Sequence, residues 1–255
     1  MRAPLLVFDA VTLGYDRRPA VVRLSGEVAP GSLLAVVGPN GTGKSTLLKG
    51  IVGELSPMDG EIRLVDARNS LTPSSPSTPS NPSDPATPIA YLSQTPGFDV
   101  DFPISVHDFA AMGLWREFGA FRAFSRAAKE RLAEAIVTVG LGGLEKRLIG
   151  ELSGGQLQRA RFARLILEDA PLIVLDEPYN AIDEATIADL AALVRRWNAE
   201  GRTVISALHN LAHVRKEYPR ALLLARELVA DGPTEAVLTE EKLALARERM
   251  RVGAC

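Results

Sequence analysis

One octapeptide combines glycines, a lysine and a serine at a spacing that suits a phosphate group. Residues 38–45 read Gly-Pro-Asn-Gly-Thr-Gly-Lys-Ser and fit the pattern G-x-x-x-x-G-K-[ST]. In such a loop, backbone N–H groups surround the β-phosphate, the lysine reaches the β- and γ-phosphate oxygens, and the hydroxyl ligates Mg²⁺. We therefore predict an ATP site in which Ser45 is a ligand of Mg²⁺. The residues predicted to bind ATP here are Gly38, Asn40, Gly41, Gly43, Lys44, Ser45 and Thr46.

An acidic pair that follows an apolar run could complete this chemistry. Residues 172–177 read Leu-Ile-Val-Leu-Asp-Glu, so the two carboxylates emerge where a buried strand would end. Ligands of open α/β sheets bind at the carboxyl ends of the strands. Asp176 is predicted to hold Mg²⁺ through its water shell, and Glu177 is predicted to be the general base that polarises the attacking water.

Buried strands and an amphipathic helix must position these residues. Short apolar runs without polar alternation, at 32–37, 172–175 and 203–208, predict strands that are buried on both faces. A helix start is predicted at 46–52, directly after the glycine-rich loop. Between the second and third runs, four apolar residues share one helical face: Ile187, Leu190, Val194 and Trp197. Strand, helix and strand in this order predict a parallel α/β sheet.

The middle of the chain has a different pattern. Ser105 begins a capping-box sequence that opens a helix, and residues 126–139 form a second helical segment rich in Ala and Arg. We expect a small helical subdomain at about 103–160, inserted into the α/β core. In an insert at about 70–88, every third residue from Pro73 to Pro88 is proline. Because polyproline II has three residues per turn, this insert is interpreted as a flexible spacer, with docking to an aromatic-lined groove as the alternative.

Composition excludes several classes of function. The 255 residues carry a formal net charge of −2, which argues against the basic surface of a nucleic-acid-binding protein. The single cysteine, Cys255, excludes an internal disulfide framework. No signal peptide is expected, and no apolar run approaches the ~20 residues that span a bilayer. If this protein serves a membrane, other chains are expected to cross it.

A third motif indicates a family. Residues 152–159 read Leu-Ser-Gly-Gly-Gln-Leu-Gln-Arg and resemble the signature motif of ABC ATPases. The resemblance covers residues 5–232 and implies one nucleotide-binding domain over 1–255. The implied fold is α/β: a P-loop NTPase (RecA-like) core with a parallel sheet, an antiparallel β subdomain and the inserted α-helical subdomain. It also implies two copies paired head to tail, each signature capping the ATP on the partner's phosphate loop. The signature residues expected to bind that ATP are Ser153, Gly154, Gly155 and Gln156.

Four more positions resemble elements of the same family. Gln94 resembles the catalytic glutamine that contacts Mg²⁺ and the attacking water. Asp183 lies in a segment similar to the loop that crosses the dimer interface and is expected to lie near ATP. His209 resembles the catalytic histidine that touches the γ-phosphate, although Asn210 follows it where the family usually has Asp. Tyr15 resembles the aromatic residue that stacks on adenine, with plain packing as the alternative.

The segment after Gln94 indicates a cargo. Residues 99–106 read Asp-Val-Asp-Phe-Pro-Ile-Ser-Val and resemble ATPases of zinc and manganese importers, which are fed by a periplasmic metal-binding protein. This resemblance implies transmembrane permease subunits as separate chains, a place at the cytoplasmic face of the cell membrane, and zinc as the first candidate cargo. The permease is expected to dock between this segment and the helical subdomain. The apolar candidates for that contact, with burial inside the subdomain as the alternative, are Phe98, Phe102, Met112 and Trp115.

Other interpretations stay open at this stage. Import of an iron chelate or haem is the next candidate within transport. Outside transport, the candidates are a non-transport ABC ATPase and a regulatory subunit that binds ATP without hydrolysing it. The i, i+4 spacing of His209 and His213 would also place two imidazoles on one helix face as metal ligands, although no third ligand follows nearby.

Overall fold

The computed structural model describes residues 5–65, 88–95, 102–119 and 123–252. Almost all of the proline-rich insert, and Phe98, lie outside the described residues. The strands are β1 (Leu5–Tyr15), β2 (Arg18–Val28), β3 (Leu33–Val37), β4 (Asp59–Val65), β5 (Ile89–Leu92), β6 (Leu172–Asp176), β7 (Thr203–Ala207), β8 (Arg220–Ala225) and β9 (Glu227–Pro233). The helices are α1 (Lys44–Ile51), α2 (Val106–Ala111), α3 (Trp115–Phe118), α4 (Arg126–Thr138), α5 (Gly154–Glu168), α6 (Glu184–Ala199), α7 (Leu211–Glu217), α8 (Thr234–Val237) and α9 (Glu240–Val252). Short 3-10 turns lie at Met112–Leu114 and Ile149–Glu151.

A sheet with the strand order β5-β6-β7-β3-β8-β9 forms the centre of the fold. The first five of these strands are parallel, and β9 runs antiparallel to β8. Every residue of β3, β6 and β7 is buried. The three strands predicted from uninterrupted apolar runs are therefore confirmed. Because β6, β7 and β3 are adjacent and parallel, the loops that follow them emerge side by side at one edge of the sheet.

Alternate residues of β3 belong to two hydrophobic cores on opposite faces of this sheet. Leu33, Ala35 and Val37 pack in a core that also contains side chains of α2, α4, α5 and α6. Leu34 and Val36 pack in the other core, with side chains of β1, β2 and α1. Successive side chains of a strand point to opposite faces, so a strand covered on both sides requires apolar residues throughout.

A second, antiparallel sheet has the strand order β2-β1-β4. Its buried residues Val11, Leu13 and Val21 are fully inaccessible and pack in the same core as Leu47 and Leu48 of α1. The antiparallel β subdomain that the family resemblance implies is therefore present. It covers the helix that follows the glycine-rich loop.

The helices between β5 and β6 pack around α5. Helices α2 and α4 both contact α5. The hydroxyl of Ser105 caps α2 by accepting a hydrogen bond from the backbone N–H of Asp108 at 3.0 Å, as the capping-box pattern predicts. Helix α5 continues from Gly154 to Glu168, so a subdomain boundary at about 160 falls inside it. This one helix therefore joins the helical part of the chain to the sheet.

Two helices flank the predicted site on the sheet. Helix α1 begins at Lys44, two residues earlier than the predicted start, so the lysine already lies in the first turn. Helix α6 buries Leu190, Val194 and Trp197 on the predicted face. Across the described ranges, no helix combines the length and the apolar character needed to cross a membrane.

Candidate functional site

The glycine-rich loop connects β3 to α1 in a conformation that requires glycine. Gly38 has φ 154°, and a Cβ there would lie 2.1 Å from the carbonyl oxygen of Leu224. Gly43 precedes α1 in the left-handed region at φ 96°, which residues with a side chain rarely adopt. The loop therefore presents the N-terminus of α1 and its unpaired N–H groups to an anion.

Lys44 lies over this loop. Its ammonium donates hydrogen bonds to the carbonyl oxygens of Gly38 at 2.9 Å and Pro39 at 3.1 Å. Burial lowers the pKa of Lys44, and the nearby carboxylates of Glu177 and Asp176 oppose that change. A cation with reduced solvation that is held by neutral carbonyls is well placed to bind phosphate oxygens.

Asp176 ends β6 beside the start of α1. It is only 2% exposed, and its Oδ1 accepts a hydrogen bond from the hydroxyl of Ser45 at 3.1 Å. Burial raises the pKa of Asp176, while the bond from Ser45 lowers it. A serine hydroxyl and a poorly solvated carboxylate are the hard oxygen donors that Mg²⁺ accepts when phosphates and waters supply its other ligands. The donor set therefore fits Mg²⁺.

Glu177 is held by two amides at the end of β6. Its Oε2 accepts hydrogen bonds from Nε2 of Gln94 at 2.9 Å and from Nδ2 of Asn180 at 3.3 Å. The backbone of Glu177 has φ 49°, which is uncommon for a residue with a side chain, and its N–H donates to the carbonyl of Ala207 at 3.1 Å. The turn directs the carboxylate into the space in front of the glycine-rich loop.

An open cavity of about 710 Å³ brings most of the predicted residues together. Its lining consists of Ala20, Asn40, Gly41, Gly43, Lys44, Ser45, Thr46, Gln94, Glu177, Asn180 and His209. Gly38 and Asp176 support the lining from behind, through Lys44 and Ser45. The combination of phosphate-binding donors, a carboxylate, an amide and an imidazole suits binding of a nucleoside triphosphate and attack by water on its terminal phosphate.

The signature residues form a separate group at the start of α5. Ser153 accepts from the N–H of Gln156 at 3.3 Å, and the side chain of Gln156 accepts from the N–H of Ser153 at 3.1 Å. A Cβ on Gly155 would lie 3.4 Å from Oδ2 of Asp183, and one on Gly154 would lie 3.7 Å from the carbonyl of Ala181. Within one chain, this group does not line the cavity around Lys44.

Tyr15 also lies away from that lining. It is 47% exposed at the end of β1, and the ammonium of Lys49 on α1 lies 5.9 Å from its ring centroid. The two histidines do not form a metal site. His209 precedes α7 and lines the cavity, whereas the ring of His213 packs edge-on against Tyr179 at 4.7 Å. Among the described residues, no group of three or more potential metal ligands is present.

Asn180, Gln158 and Arg161 contribute to the site although the sequence pattern did not single them out. Nε2 of Gln158 donates to the carbonyl of Pro178 at 2.6 Å, and the guanidinium of Arg161 donates to the carbonyl of Ser93. Each of these residues lies within or near a motif, but motif spacing does not reveal which neighbours a side chain meets. For Gln158, the usable signal was its place inside the signature motif at residues 152–159, whereas Arg161 lies just beyond that motif.

This geometry defines a nucleotide-binding cassette. The family profile described as ABC transporter matches residues 21–180, and the chain belongs to that family. It is 35% identical over 238 residues to the manganese transport system ATP-binding protein MntB of Listeria monocytogenes, covering 93% of this chain and 94% of that protein. It is also 35% identical over 233 residues to the zinc transport system ATP-binding protein TroB of Treponema pallidum, with coverage of 91% and 83%.

Two further comparisons concern metal chelates. The chain is 35% identical over 241 residues to the chelated iron transport system protein YfeB of Yersinia pestis, covering 94% of this chain and 78% of that protein. A solved structure described as a metal-chelate type ABC transporter in an inward-facing conformation is 27% identical. It superposes with a TM-score of 0.79 over 97% of this chain and 90% of that one.

Proposed function

We propose that this chain is the Mg²⁺-dependent ATP-hydrolysing subunit of an ABC importer for a divalent metal ion, with zinc as the first cargo to test. The observation that carries the proposal is the single cavity shared by Lys44, Ser45, Gln94, Glu177 and His209. A regulatory subunit that binds ATP without hydrolysis would not need a carboxylate, an amide and an imidazole converging in front of its phosphate loop.

Each side chain of this cavity has a distinct part in hydrolysis. The ammonium of Lys44 and the loop N–H groups would bind the β- and γ-phosphates, and Ser45 and Asp176 would hold Mg²⁺, which neutralises phosphate charge when bound. Glu177 would orient the attacking water and accept its proton. Gln94 fixes the Glu177 carboxylate by donating to it, and His209 would donate to the γ-phosphate as negative charge develops there.

The active form is proposed to be a pair of chains. Ser153 and the glycines after it form an anion-binding helix start that does not line the cavity of the same chain. A head-to-tail pair would place this helix start, together with Asp183, over the ATP of the partner and complete two equivalent sites.

Glu177→Gln tests the pair directly, because it keeps the phosphate-binding residues and removes the proposed general base. In gel filtration with MgATP we expect this variant to elute as a dimer, and to be monomeric without nucleotide. Elution as a monomer under both conditions would overturn the pairing.

Permease subunits in separate chains are the proposed partners, with this chain bound peripherally at the cytoplasmic face of the membrane. Met112 lines a groove of about 350 Å³ between β5 and α5, and Phe102 and Trp115 are each 61% exposed. The exposure of Phe102, Met112 and Trp115 favours the docking interpretation over burial inside the helical subdomain. These exposed apolar side chains support docking of a partner chain at residues 102–115.

Metal import is supported by the relatives, which are named for manganese, zinc and chelated iron. A periplasmic metal-binding protein would deliver the cargo to the permease. Import of an iron chelate is the second candidate, because the YfeB relative and the metal-chelate type structure both favour it.

Two measurements test this function. The purified chain should hydrolyse ATP only with Mg²⁺, and Lys44→Ala should abolish the activity. A strain without the gene should lose cellular zinc when zinc is scarce, and the wild-type gene, but not Lys44→Ala, should restore it. A deficit of manganese or iron instead would replace zinc as the proposed cargo. The absence of any metal deficit would refute the proposal of metal import.

A further inference from the structure

Helix α5 makes polar contacts with two segments: the one that carries Gln94 and the one that carries the proposed catalytic carboxylate of Glu177. Gln158 is 8% exposed, and its Nε2 donates to the carbonyl of Pro178 at 2.6 Å. One turn further along the same face, the guanidinium of Arg161 donates through Nη2 to the carbonyl of Ser93 and through Nη1 to Oε1 of Gln158 at 3.0 Å. The two side chains therefore bind each other and one neighbouring segment each.

These contacts close a ring around the catalytic pair. Ser93 precedes Gln94, and Pro178 follows Glu177, along the chain. Gln94 in turn donates to Glu177 at 2.9 Å. The covalent and hydrogen-bonded path thus runs from Arg161 through Ser93 and Gln94 to Glu177, and returns through Pro178 and Gln158. A ring of this kind fixes the separation of the two segments that carry the amide and the carboxylate.

Arg161 also lines the groove beside the helical part of the chain. That groove of about 350 Å³ is bounded by Tyr91, Phe109, Met112 and other residues of β5, α2 and α5. Burial lowers the pKa of Arg161 to about 10, and the nearby charge of Arg164 adds to this effect. Burial of the guanidinium costs solvation free energy. The hydrogen bonds to the carbonyl oxygen of Ser93 and to Oε1 of Gln158 offset only part of this cost.

We propose that Arg161 is a positioning residue for ATP hydrolysis: its two hydrogen bonds hold Ser93 and Gln158, and thereby Gln94 and Glu177, at the separation that the attacking water requires. Arg161 does not line the cavity around Lys44 that is proposed to bind the nucleotide. The same guanidinium lines the groove. A molecule bound in the groove would therefore contact Arg161, which is hydrogen-bonded to Ser93 and to Gln158. The inference rests on the proposed hydrolysis by Glu177.

Three single variants, one double variant and a control test this position. Arg161→Leu removes both hydrogen bonds, Arg161→Lys keeps the charge and one of them, and Gln158→Leu opens the ring at its other side. Arg126→Leu is the matched control, because Arg126 is 94% exposed on α4 and, within the described part of the chain, pairs with its helix neighbour Glu130. For each purified full-length variant, kcat for ATP, the Kd for ATP and the melting temperature are measured.

The expected result is a lower kcat with a nearly unchanged Kd for ATP. Arg161→Leu should lower kcat about tenfold or more, since a misplacement of about 1 Å at a reacting centre costs up to ~100-fold. Its Kd for ATP should stay within about twofold, because the phosphate loop is untouched. Arg161→Lys should recover part of the loss. The double variant Arg161→Leu/Gln158→Leu should be no slower than the slower single variant, because both changes open one ring.

Several outcomes would overturn the inference while hydrolysis by the wild type stands. These are a kcat of Arg161→Leu equal to that of Arg126→Leu, a parallel loss of ATP affinity, or losses in the two single variants that multiply in the double variant. If Arg161→Leu does not fold, Arg161→Lys and Gln158→Leu decide by the same criteria. A wild type without ATP hydrolysis would instead overturn the proposed function itself.

Discussion

The glycine-rich loop offers a paired test of its geometry through Gly43→Ala and Gly41→Ala. Both residues have positive φ, 96° and 77°, so an alanine at either position pays about 1–2 kcal/mol for the left-handed backbone. A Cβ on Gly41 meets nothing within 4 Å, whereas one on Gly43 would lie 2.6 Å from the carbonyl oxygen of Ala20 and 2.7 Å from Cγ2 of Val21. Overpacking of this kind adds about 1–3 kcal/mol.

Gly43→Ala should therefore destabilise the nucleotide-free chain by roughly 2–5 kcal/mol, and Gly41→Ala by roughly 1–2 kcal/mol. For a chain of this size, 1 kcal/mol shifts the melting temperature by about 2–4 °C. Thermal unfolding without nucleotide should thus lower Tm by roughly 4–20 °C for Gly43→Ala and roughly 2–8 °C for Gly41→Ala. Equal shifts in the two variants, or a larger shift for Gly41→Ala, would refute the assigned packing of the loop against β2.

Three further changes have outcomes that follow from the structure or from the sequence. Trp197→Ala removes a 3% exposed ring that stacks on Phe162, with the two ring centroids 5.8 Å apart. The free energy of unfolding, measured by urea titration, should fall by about 3–5 kcal/mol. A loss under about 1 kcal/mol would contradict this packing. Ser153→Ala should cost about 0.5–2 kcal/mol by loss of the cap on α5. It should also weaken ATP-dependent pairing while the Kd of the single chain for ATP stays unchanged, and an equal loss in both measurements would count against separate binding surfaces. Deletion of residues 74–87 should leave the Kd for ATP unchanged by calorimetry, because the Pro-, Ser- and Thr-rich composition of this segment is typical of a solvated spacer. A large loss of binding would show that the insert is not a spacer.

The sequence allowed the sheet and the phosphate loop to be predicted for local reasons. A strand buried on both faces must be apolar throughout, so β3, β6 and β7 are visible as uninterrupted runs. The loop conformation at Gly38 and Gly43 depends on residue type at fixed spacing, which a sequence displays directly.

The same reasoning could not predict contacts between segments that are far apart in the sequence. Arg161 and Ser93 are 68 residues apart, and nothing in either segment indicates that a guanidinium and a carbonyl will meet. The i, i+4 spacing of His209 and His213 suggested a shared helix face, but Asn210 caps α7 by accepting from the N–H of His213 at 3.1 Å. His209 therefore precedes the helix, and it lines the cavity around Lys44 instead.

The strand order of the central sheet also sets when the nucleotide site becomes available during synthesis. Both hydrogen-bonding neighbours of β3 are encoded near the other end of the chain, at Thr203–Ala207 and Arg220–Ala225. The ribosome adds about 5–20 residues per second, so the 188 residues from Val37 to Ala225 (225 − 37) require roughly 10–40 s. Until Thr203–Ala207 is made, both edges of β3 lack their partner strands, and one edge still lacks its partner until Arg220–Ala225 follows. The nascent chain thus carries a complete glycine-rich loop before it gains the two strands that flank β3 in the folded sheet.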